Sequence, residues 1–544
     1  MPTVRFTLDG RQVEVEDDGG YLLEALRDRL GELSAKDGCS PQGQCGCCTV
    51  WVDGAARVAC VTPLRRLNGR AVTTLAGLEP DLRDRWLSAF AANGASQCGF
   101  CTPGIIMRLA ALSGRRESPE ESEVRRALAA HLCRCTGWQG IVDAAMLVYS
   151  GALEGIARDE AGMLAASRRA SIEGRTCQAV SDSVIMGRGG FADDTAPRDS
   201  LVAVLDSSSD APASGRPGRW LVAGSLGEAR ALSGKVQGRR STNALGYPVE
   251  PPEGEWDLVL VTTFVEPAYL EPDSSWCMPG GQPASPVANG GAFGAKASSP
   301  LPEAARELAA IHSKPVRTLW SREDVVRYGP KRPPCAVGMC LDGTGVARVA
   351  ITPGSEAPEV WVESFAAVLP DVELQLVEAS GPPVSASLRA AGWGEAAVLA
   401  AVCDWLRRGE DPGSSPVFEV CSPEGGRASV RIGEDGSVSV RIDAGEVLDE
   451  TVLRSYAIGA VHQALGWVRS EGISVSVLGE VSDLTVRSFG ILPATAMGRV
   501  EVVVEESEAS PVNASDAVFA ATAAAAWWRS GLRPRWPVER GAMR

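Results

Sequence analysis

The sequence predicts a multidomain α+β protein, in which a small β-grasp-like domain, a small helical domain and a longer mixed α/β region follow one another. Three observations lead to this prediction. The chain has 544 residues, which is too many for one compact core. Residues 1–78 alternate apolar and polar positions around Asp-Gly turns, whereas residues 79–152 have helical periodicity. From about residue 181 onward, strand-like and helix-like segments are mixed.

Composition and charge argue against two kinds of partner. With 45% hydrophobic and 22% charged residues, the chain is typical of a soluble globular protein. Its net charge of −15 argues against nucleic acid, because phosphate binding needs a basic surface. No apolar run reaches the ~18 residues of a membrane span, so none is predicted. The first residues contain neither an apolar signal core nor twin arginines, and we therefore expect a cytoplasmic protein.

Residues 1–78 contain the signals of a β-grasp-like domain. VRFTLDGRQVEVE predicts a hairpin around an Asp-Gly turn, and YLLEALRDRL has helical spacing. The loop CSPQGQCGCCTV follows, and TVWVDGAARVACVTPL predicts two more strands around a second Asp-Gly turn.

Residues 79–152 predict a small domain of four helices, at 79–93, 104–113, 119–130 and 138–150. Residues 153–180 are charged and rich in Ala, and we interpret them as a linker. Residues 181–544 form the mixed α/β region.

The 15 cysteines are not the pattern of a small secreted disulfide protein, and clustered cysteines in a reducing compartment are more often metal ligands. The three histidines, at 131, 312 and 462, are far apart, so a metal site would consist mainly of thiolates.

Four cysteines follow the spacing C-x5-C-x2-C-x11-C: Cys39, Cys45, Cys48 and Cys60. This spacing is close to that of a plant-type [2Fe–2S] site, with zinc as the alternative. Cys47 is interpreted as a small filler residue.

A second set of cysteines stands in QCGFCTPG (97–104) and HLCRCTGW (131–138). Cys98 and Cys101 directly precede one predicted helix, and Cys133 and Cys135 precede another. Two helix N-termini that face each other would bring four thiolates together and favour the negative charge of an iron–sulfur cluster.

The two motifs together closely resemble the iron–sulfur portion of the molybdenum hydroxylases, the xanthine dehydrogenase and aldehyde oxidase family. The resemblance covers about residues 1–150. It implies a ferredoxin-like domain and a four-helix domain, each with one [2Fe–2S] cluster. It also implies that Gln97 and the region near Cys135 approach a molybdopterin held by the next domain.

Several later segments resemble the molybdenum domain of that family in the correct order, so we expect residues 181–544 to be a compressed, molybdenum-hydroxylase-like region. The segments are VIMGRGGFADD (184–194), FVEPAYLEP, GGAFGAK, PVRTLWSREDVVRYGPKRPP, LRAAGWGEAAV and AIGAVHQALGW. The resemblance implies that Arg389 and Phe293 face a substrate and that Gln463 lies near molybdenum. It also implies that the GGAFGAK loop approaches the cofactor through Gly290, Gly291, Phe293 and Gly294.

The region also departs from the family pattern. Three stretches are shortened or absent, and the expected general-base glutamate is not found. The segment PVNASDAVFAATAAAAWW stands in its place, with Ala514, Ser515 or Asp516 at the position of the acid. Base chemistry needs an ionisable group within hydrogen-bond reach. We interpret Asp516 as an N-cap of the following helix and Glu395 as a surface or structural residue.

These observations leave three functions open. The first is an electron-transfer subunit with two [2Fe–2S] clusters and a degenerate molybdenum region, whose molybdenum-containing or flavin-containing partner is a separate chain. The second is a compact active hydroxylase that acts on a heteroaromatic compound or an aldehyde and holds its own molybdopterin. The third is a redox-sensing regulatory protein. No flavin or nicotinamide motif is found in the sequence itself.

Overall fold

The computed structural model describes residues 2–39, 42–113, 119–152, 158–206, 218–234, 244–285, 290–409 and 415–540, and it confirms an α+β protein. A five-stranded sheet and four small helices come first, and three four-stranded sheets with packed helices follow.

The first part of the chain is a mixed sheet with strand order β2-β1-β5-β3-β4. The predicted hairpin is confirmed, because Leu8 pairs with Arg11 and Thr3 pairs with Glu16 across the Asp9-Gly10 turn. The three-residue strand β5, which was not predicted from the sequence, runs parallel to β1 and joins the two hairpins. The elements are β1 (Thr3–Leu8), β2 (Arg11–Glu16), α1 (Leu22–Glu24, continued by a π-helical segment Ala25–Leu30), β3 (Thr49–Val52), β4 (Ala55–Val58) and β5 (Ala71–Thr73).

The four predicted helices of the second part are confirmed. Trp86 is fully buried there and packs edge-on against Phe90 and Tyr149, so the first and last helices share one core. The helices are α2 (Pro80–Ala92), α3 (Thr102–Ser113), α4 (Glu121–Ala127, followed by a 3-10 turn Leu128–Ala130) and α5 (Gln139–Ser150).

The predicted linker contains a packed helix, α6 (Glu160–Gly174). Its Arg169 and Glu173 are buried and form an ion pair at 3.1 Å. The Glu173 carboxylate also accepts a hydrogen bond from the backbone N–H of Ser515 at 3.0 Å. The segment therefore ties the helical domain to the C-terminal region, because its charged residues have their partners there.

The described residues of the C-terminal region form three separate sheets, with strand orders β7-β6-β10-β9, β13-β12-β11-β8 and β14-β15-β16-β17, the last built from Phe418–Cys421, Arg427–Ile432, Val438–Asp443 and Val500–Val504. The helices and strands up to the second sheet are α7 (Asp182–Ile185), α8 (Ala192–Thr195), β6 (Leu201–Leu205), β7 (Trp220–Ala223), α9 (Leu226–Ser233), β8 (Leu258–Val261), β9 (Ser274–Cys277), α10 (Leu301–His312), β10 (Val316–Leu319), α11 (Arg322–Tyr328), β11 (Cys335–Met339), β12 (Gly345–Ile351), α12 (Pro358–Ala366) and β13 (Val372–Glu378).

Two long buried helices form the centre of this region, α14 (Glu450–Arg469) and α15 (Ser515–Arg529). Most residues of both helices are shielded from solvent. Among the described residues, no helix has both the length and the apolar character that a membrane span requires. The remaining helices and strands are α13 (Trp393–Arg408), β14 (Phe418–Cys421), β15 (Arg427–Ile432), β16 (Val438–Asp443), α14 (Glu450–Arg469), β17 (Val500–Val504) and α15 (Ser515–Arg529).

Candidate functional site

The first cysteine set lies in the loop between α1 and β3 and in the turn after β4. All four side chains are at most 1% exposed: Cys39, Cys45, Cys48 and Cys60. The Cys39 sulfur accepts hydrogen bonds from the thiols of Cys45 and Cys60, and the Cys60 side chain also interacts with that of Cys48, so the four sulfurs form one connected group. Such a group of buried thiols could hold a [2Fe–2S] cluster, in which each iron takes two sulfurs.

Backbone N–H groups point at one sulfur of this set. The Gln42 N–H donates to Cys39 Sγ at 3.1 Å, and the N–H groups of Gln44 and Cys45 also reach this sulfur. Gly43 permits this arrangement because its φ of +69° is strained for other residues. Hydrogen bonds from Cys45 and Cys60, together with these N–H groups, hold the pKa of Cys39 well below its ordinary value. The loop therefore stabilises negative charge on sulfur.

Cys47 belongs to the same buried group. Its side chain is 1% exposed, and its thiol forms a hydrogen bond with Cys45. A Cβ placed on Gly38 would lie 3.1 Å from the sulfurs of both Cys45 and Cys47, so the two thiols lie side by side. The interpretation of Cys47 as a filler remains a prediction.

The second cysteine set consists of two pairs. Cys135 Sγ lies 3.6 Å from Cys98 Sγ, and the thiols of Cys101 and Cys133 share a hydrogen bond. The hydrogen bond from Cys101 lowers the pKa of Cys133 to about 6, with help from Thr136, whose Oγ1 lies 3.1 Å from Cys133 Sγ. This set too could hold a [2Fe–2S] cluster.

No three His, Cys, Asp or Glu side chains of the described residues surround one point closely enough for a single metal ion. A [2Fe–2S] cluster does not require that arrangement, because each of its irons takes only two protein sulfurs.

The two cysteine sets are joined by direct backbone contact. The Leu132 N–H, next to Cys133, donates to the Cys45 carbonyl oxygen at 3.0 Å. A Cβ on Gly104 would lie 2.3 Å from the Gly46 carbonyl oxygen, so α3 packs tightly against the cysteine loop. The two sites are therefore held at a fixed separation.

The residues that the resemblance assigns to a molybdenum site do come together. Arg389 Nη1 donates to Gln463 Oε1 at 3.3 Å, and the Arg389 guanidinium lies 4.7 Å from the centre of the Phe293 ring. The Arg389 N–H also donates to the Phe293 carbonyl oxygen at 2.9 Å. Gly294 packs against this segment, since a Cβ there would lie 1.8 Å from the Ser387 carbonyl oxygen.

Asp516 is not an N-cap, which corrects the expectation from the sequence. It lies in the first turn of α15, and its carboxylate accepts hydrogen bonds from Arg389 Nε at 2.9 Å and from Arg175 Nη2 at 2.7 Å. The Asn513 side chain accepts a hydrogen bond from the Asp516 N–H instead. These contacts link residues far apart in sequence, and no local pattern signals them.

Glu395 is structural and fully buried. Its Oε1 accepts from Arg332 Nε at 2.8 Å, and its Oε2 accepts from the N–H of Gly392 at the start of α13. Both oxygens are therefore occupied within the fold, and Glu395 does not replace the missing base.

The space around Arg389, Phe293 and Gln463 does not fit a molybdopterin. The cavity that these residues line has a volume of about 40 Å³. A second cavity, between the second cysteine set and Gly291, has about 20 Å³. A cavity of this size holds about one water molecule, whereas sites for small molecules occupy ~300–1,000 Å³. Gly290 and Gly291 form a 3-10 turn at this place.

Gln97 faces a different and larger cavity. Its Nε2 donates to the Cys135 carbonyl oxygen at 3.1 Å and to Ser455 Oγ at 3.0 Å. The cavity beside it has a volume of about 420 Å³, and none of Arg389, Phe293 and Gln463 lines it. We call it the Gln97 cavity.

Two family models match the N-terminal quarter of the chain. A 2Fe-2S iron-sulfur cluster binding domain matches residues 6–65, and a [2Fe-2S] binding domain matches residues 74–146. The first match contains the first cysteine set and the second contains the other set. The iron–sulfur interpretation is thus confirmed over the zinc alternative.

Curated relatives match the same part of the chain. The xanthine dehydrogenase iron-sulfur-binding subunit of Escherichia coli O157:H7 is 42% identical over 147 residues, which are 26% of this chain and 90% of that subunit. Isoquinoline 1-oxidoreductase subunit alpha of Brevundimonas diminuta is 36% identical over 140 residues, 25% of this chain and 91% of that subunit. The aldehyde oxidoreductase of Megalodesulfovibrio gigas is 38% identical over 145 residues, which are 26% of this chain and only 16% of that protein.

The whole chain has the fold of a solved enzyme. The aldehyde oxidoreductase from Desulfovibrio desulfuricans ATCC 27774 superposes with a TM-score of 0.72 and 15% sequence identity, over 96% of this chain and 97% of that one. At this identity the likeness shows the fold alone, and the region after residue 150 shares the architecture of that enzyme.

Proposed function

This chain belongs to the xanthine dehydrogenase and aldehyde oxidoreductase family of oxidoreductases, and from this premise we propose that it is an electron-transfer component whose own molybdenum region is degenerate. The observation that carries the proposal is the filled pocket. The Asp516 carboxylate and the Phe293 ring lie directly against Arg389, and about 40 Å³ remains beside them. No space is left for a substrate next to the arginine that would bind it.

We assign each cysteine set to one cluster: Cys39, Cys45, Cys48 and Cys60 to an outer cluster, and Cys98, Cys101, Cys133 and Cys135 to an inner one. When bound, each [2Fe–2S] cluster would take up and release one electron. The N–H groups at Cys39 and the hydroxyl at Cys133 support this role, because they stabilise negative charge on the sulfurs. The Leu132–Cys45 hydrogen bond keeps the two sites close.

We infer that a molybdenum-containing or flavin-containing partner is a separate chain. Two of the relatives are named as subunits and match this chain over about nine-tenths of their length. In this chain the matching part is fused to a large C-terminal region, which would act as a scaffold.

A second candidate is a compact active hydroxylase that acts on a heteroaromatic compound or an aldehyde. One observation favours it: Arg389, Phe293 and Gln463 meet, as the resemblance implies for a substrate pocket. It would require the pocket to open and Asp516 to leave Arg389.

Metal analysis separates the two candidates. The full chain is purified after expression alone and after expression with the genes that neighbour it, and iron and molybdenum are measured in both preparations. About four irons and no molybdenum in either preparation would support the electron-transfer component. Molybdenum near one per chain in the protein expressed alone would overturn it in favour of the compact hydroxylase.

A further inference from the structure

The C-terminal region reaches back to the outer cysteine loop through one segment, residues 484–487. The side-chain amide of Gln42, which stands three positions after Cys39, makes two hydrogen bonds to this segment. Its Nε2 donates to the Leu484 carbonyl oxygen at 2.9 Å, and its Oε1 accepts from the Val486 N–H at 3.1 Å. Both ends of the amide are thus used, and the loop is fixed to residues 442 and 444 positions away.

The segment is a firm anchor because it is itself packed in the core. Val486 is fully buried, and Phe489, at the end of the same 3-10 turn, is 1% exposed. The Ser488 hydroxyl donates to the Thr485 carbonyl oxygen at 2.6 Å, which closes the turn. The Gln42 side chain is therefore held by backbone groups that are part of the rigid C-terminal region.

The same residue gives a backbone N–H to the cluster site. The Gln42 N–H donates to Cys39 Sγ at 3.1 Å, so the anchored side chain and the donor to sulfur belong to one residue. A reduced [2Fe–2S] cluster carries one more negative charge than an oxidised one, and N–H groups aimed at its sulfurs stabilise that charge. An anchor that fixes this N–H therefore favours the reduced state.

Arg487 provides a second anchor on the same loop. Its Nε donates to the Gln44 carbonyl oxygen at 3.0 Å, and its Nη1 and Nη2 donate to the Ala129 carbonyl oxygen at 3.3 and 3.2 Å. The Gln44 N–H is another donor to Cys39 Sγ. Ala129 lies in the 3-10 turn that leads to the inner cysteine set. One side chain thus joins the outer loop, the approach to the inner set and the C-terminal segment.

We propose that Gln42 and Arg487 are positioning residues of the outer cluster: they hold two backbone N–H groups at Cys39 Sγ and thereby raise the potential at which this cluster is reduced. This inference rests on the proposed electron-transfer function, and it gives the large C-terminal region a task beyond that of a scaffold. The step concerned is the uptake of one electron by the oxidised outer cluster, in which no bond forms or breaks.

A redox titration of the full-length holoprotein tests the proposal, with each reduced cluster followed by electron paramagnetic resonance (EPR). Gln42→Ala removes the amide and keeps the backbone N–H. Its matched control, Gln12→Ala, makes the same substitution at an exposed position of β2, where the amide donates to Thr7 Oγ1. Arg487→Ala tests the second anchor, also at an exposed position. All titrations are made in about 0.5 M NaCl, where a Debye length of about 4 Å screens the surface charge that this variant loses.

We expect Gln42→Ala and Arg487→Ala each to lower the ratio of reduced to oxidised outer cluster about 2- to 10-fold at a given potential, the range of one hydrogen bond. For a one-electron couple this is a downward shift of the midpoint potential by about 20–60 mV. The inner cluster in these variants, and both clusters in Gln12→Ala, should keep the wild-type midpoint.

An unchanged outer midpoint in both anchor variants, or an equal shift of both clusters, would overturn the proposal. If Gln42→Ala binds no outer cluster, the surface variant Arg487→Ala decides between the two results. The iron content and EPR signals of the wild type report on the clusters separately, so their absence would instead count against the electron-transfer function.

Discussion

Arg389 and Asp516 form a buried ion pair, with Nε and Oδ1 2.9 Å apart and both side chains at most 6% exposed. Asp516 also binds Arg175, which is about half exposed and bonds in turn to Glu424. The chain of charges thus runs from the filled pocket to the surface. The pair explains why the pocket is closed, because the guanidinium that would face a substrate is already neutralised by an acid of the same chain.

The first prediction concerns this ion pair. Asp516→Ala leaves the buried Arg389 without its counter-charge, and breaking a buried pair in this way costs about 3–5 kcal/mol. We expect a loss of this order in the free energy of unfolding, measured in urea. The double variant Arg389→Met/Asp516→Leu should recover most of it, since both charges are then removed. Glu506→Ala, at an exposed position, is the control and should stay within about 0.5 kcal/mol of the wild type. A loss in Asp516→Ala no larger than in this control would contradict the interpretation.

The second prediction separates the two clusters. Cys45→Ser should remove about half of the iron and the EPR signal of the outer cluster, and Cys133→Ser should do the same for the inner cluster. The reason is that each set of four thiols is complete in itself. Cys47→Ser is the matched control, because Cys47 is equally buried but is not assigned as a ligand. If either ligand variant lost both signals equally, or if Cys47→Ser lost iron, the assignment would be wrong.

The third prediction tests the packing of α14 on the inner site. Gly459→Ala introduces a Cβ 1.9 Å from the Cys135 carbonyl oxygen, so the helix or the cysteine segment must move. We expect the EPR signal of the inner cluster to shift or weaken while the outer one is unchanged. Gly227→Ala, in α9, has only an ordinary contact at 3.7 Å and should change neither signal. An unchanged inner signal in Gly459→Ala would show that α14 does not press on this site.

The fourth prediction concerns pH. Burial lowers the pKa of His131 to about 3. Below about pH 6.5 this histidine therefore stays neutral in the folded protein, whereas in the unfolded chain it takes up a proton. The unfolded state binds more protons in this window, and His131 therefore removes stability as the pH falls. His131→Gln abolishes that contribution but also loses packing against Gly46.

The stability difference between the wild type and His131→Gln should therefore shrink by about 1 kcal/mol between pH 7.5 and 5.5, measured by urea unfolding. Gln12→Ala, which changes an exposed residue without an ionisable side chain, should show a difference that does not change with pH. A stability difference between the wild type and His131→Gln that stays constant or increases towards acidic pH would refute the prediction.

Much of the N-terminal part could be predicted from local patterns. The hairpin at Thr3–Glu16, the four helices and the two cysteine sets follow from alternation, helical periodicity and spacing over a few residues, which are properties of neighbouring positions. The strand β5 was missed because its three residues are too few to show alternation. The helix α6 was interpreted as a linker because its charged residues resemble those of an exposed segment.

The family and the two [2Fe–2S]-binding domains could be predicted from the sequence, and the resemblance implied that Arg389, Phe293 and Gln463 would meet. The closure of the pocket around these residues is a property of the tertiary structure. Asp516 and Arg389 are 127 positions apart, and Arg134 and Glu471, a second buried ion pair beside the same pocket, are 337 apart. Such pairs depend on how distant segments pack, and a single sequence does not record which buried acid will lie beside which buried base. For this reason the absence of the expected glutamate could be read from the sequence, whereas the closure of the pocket could not.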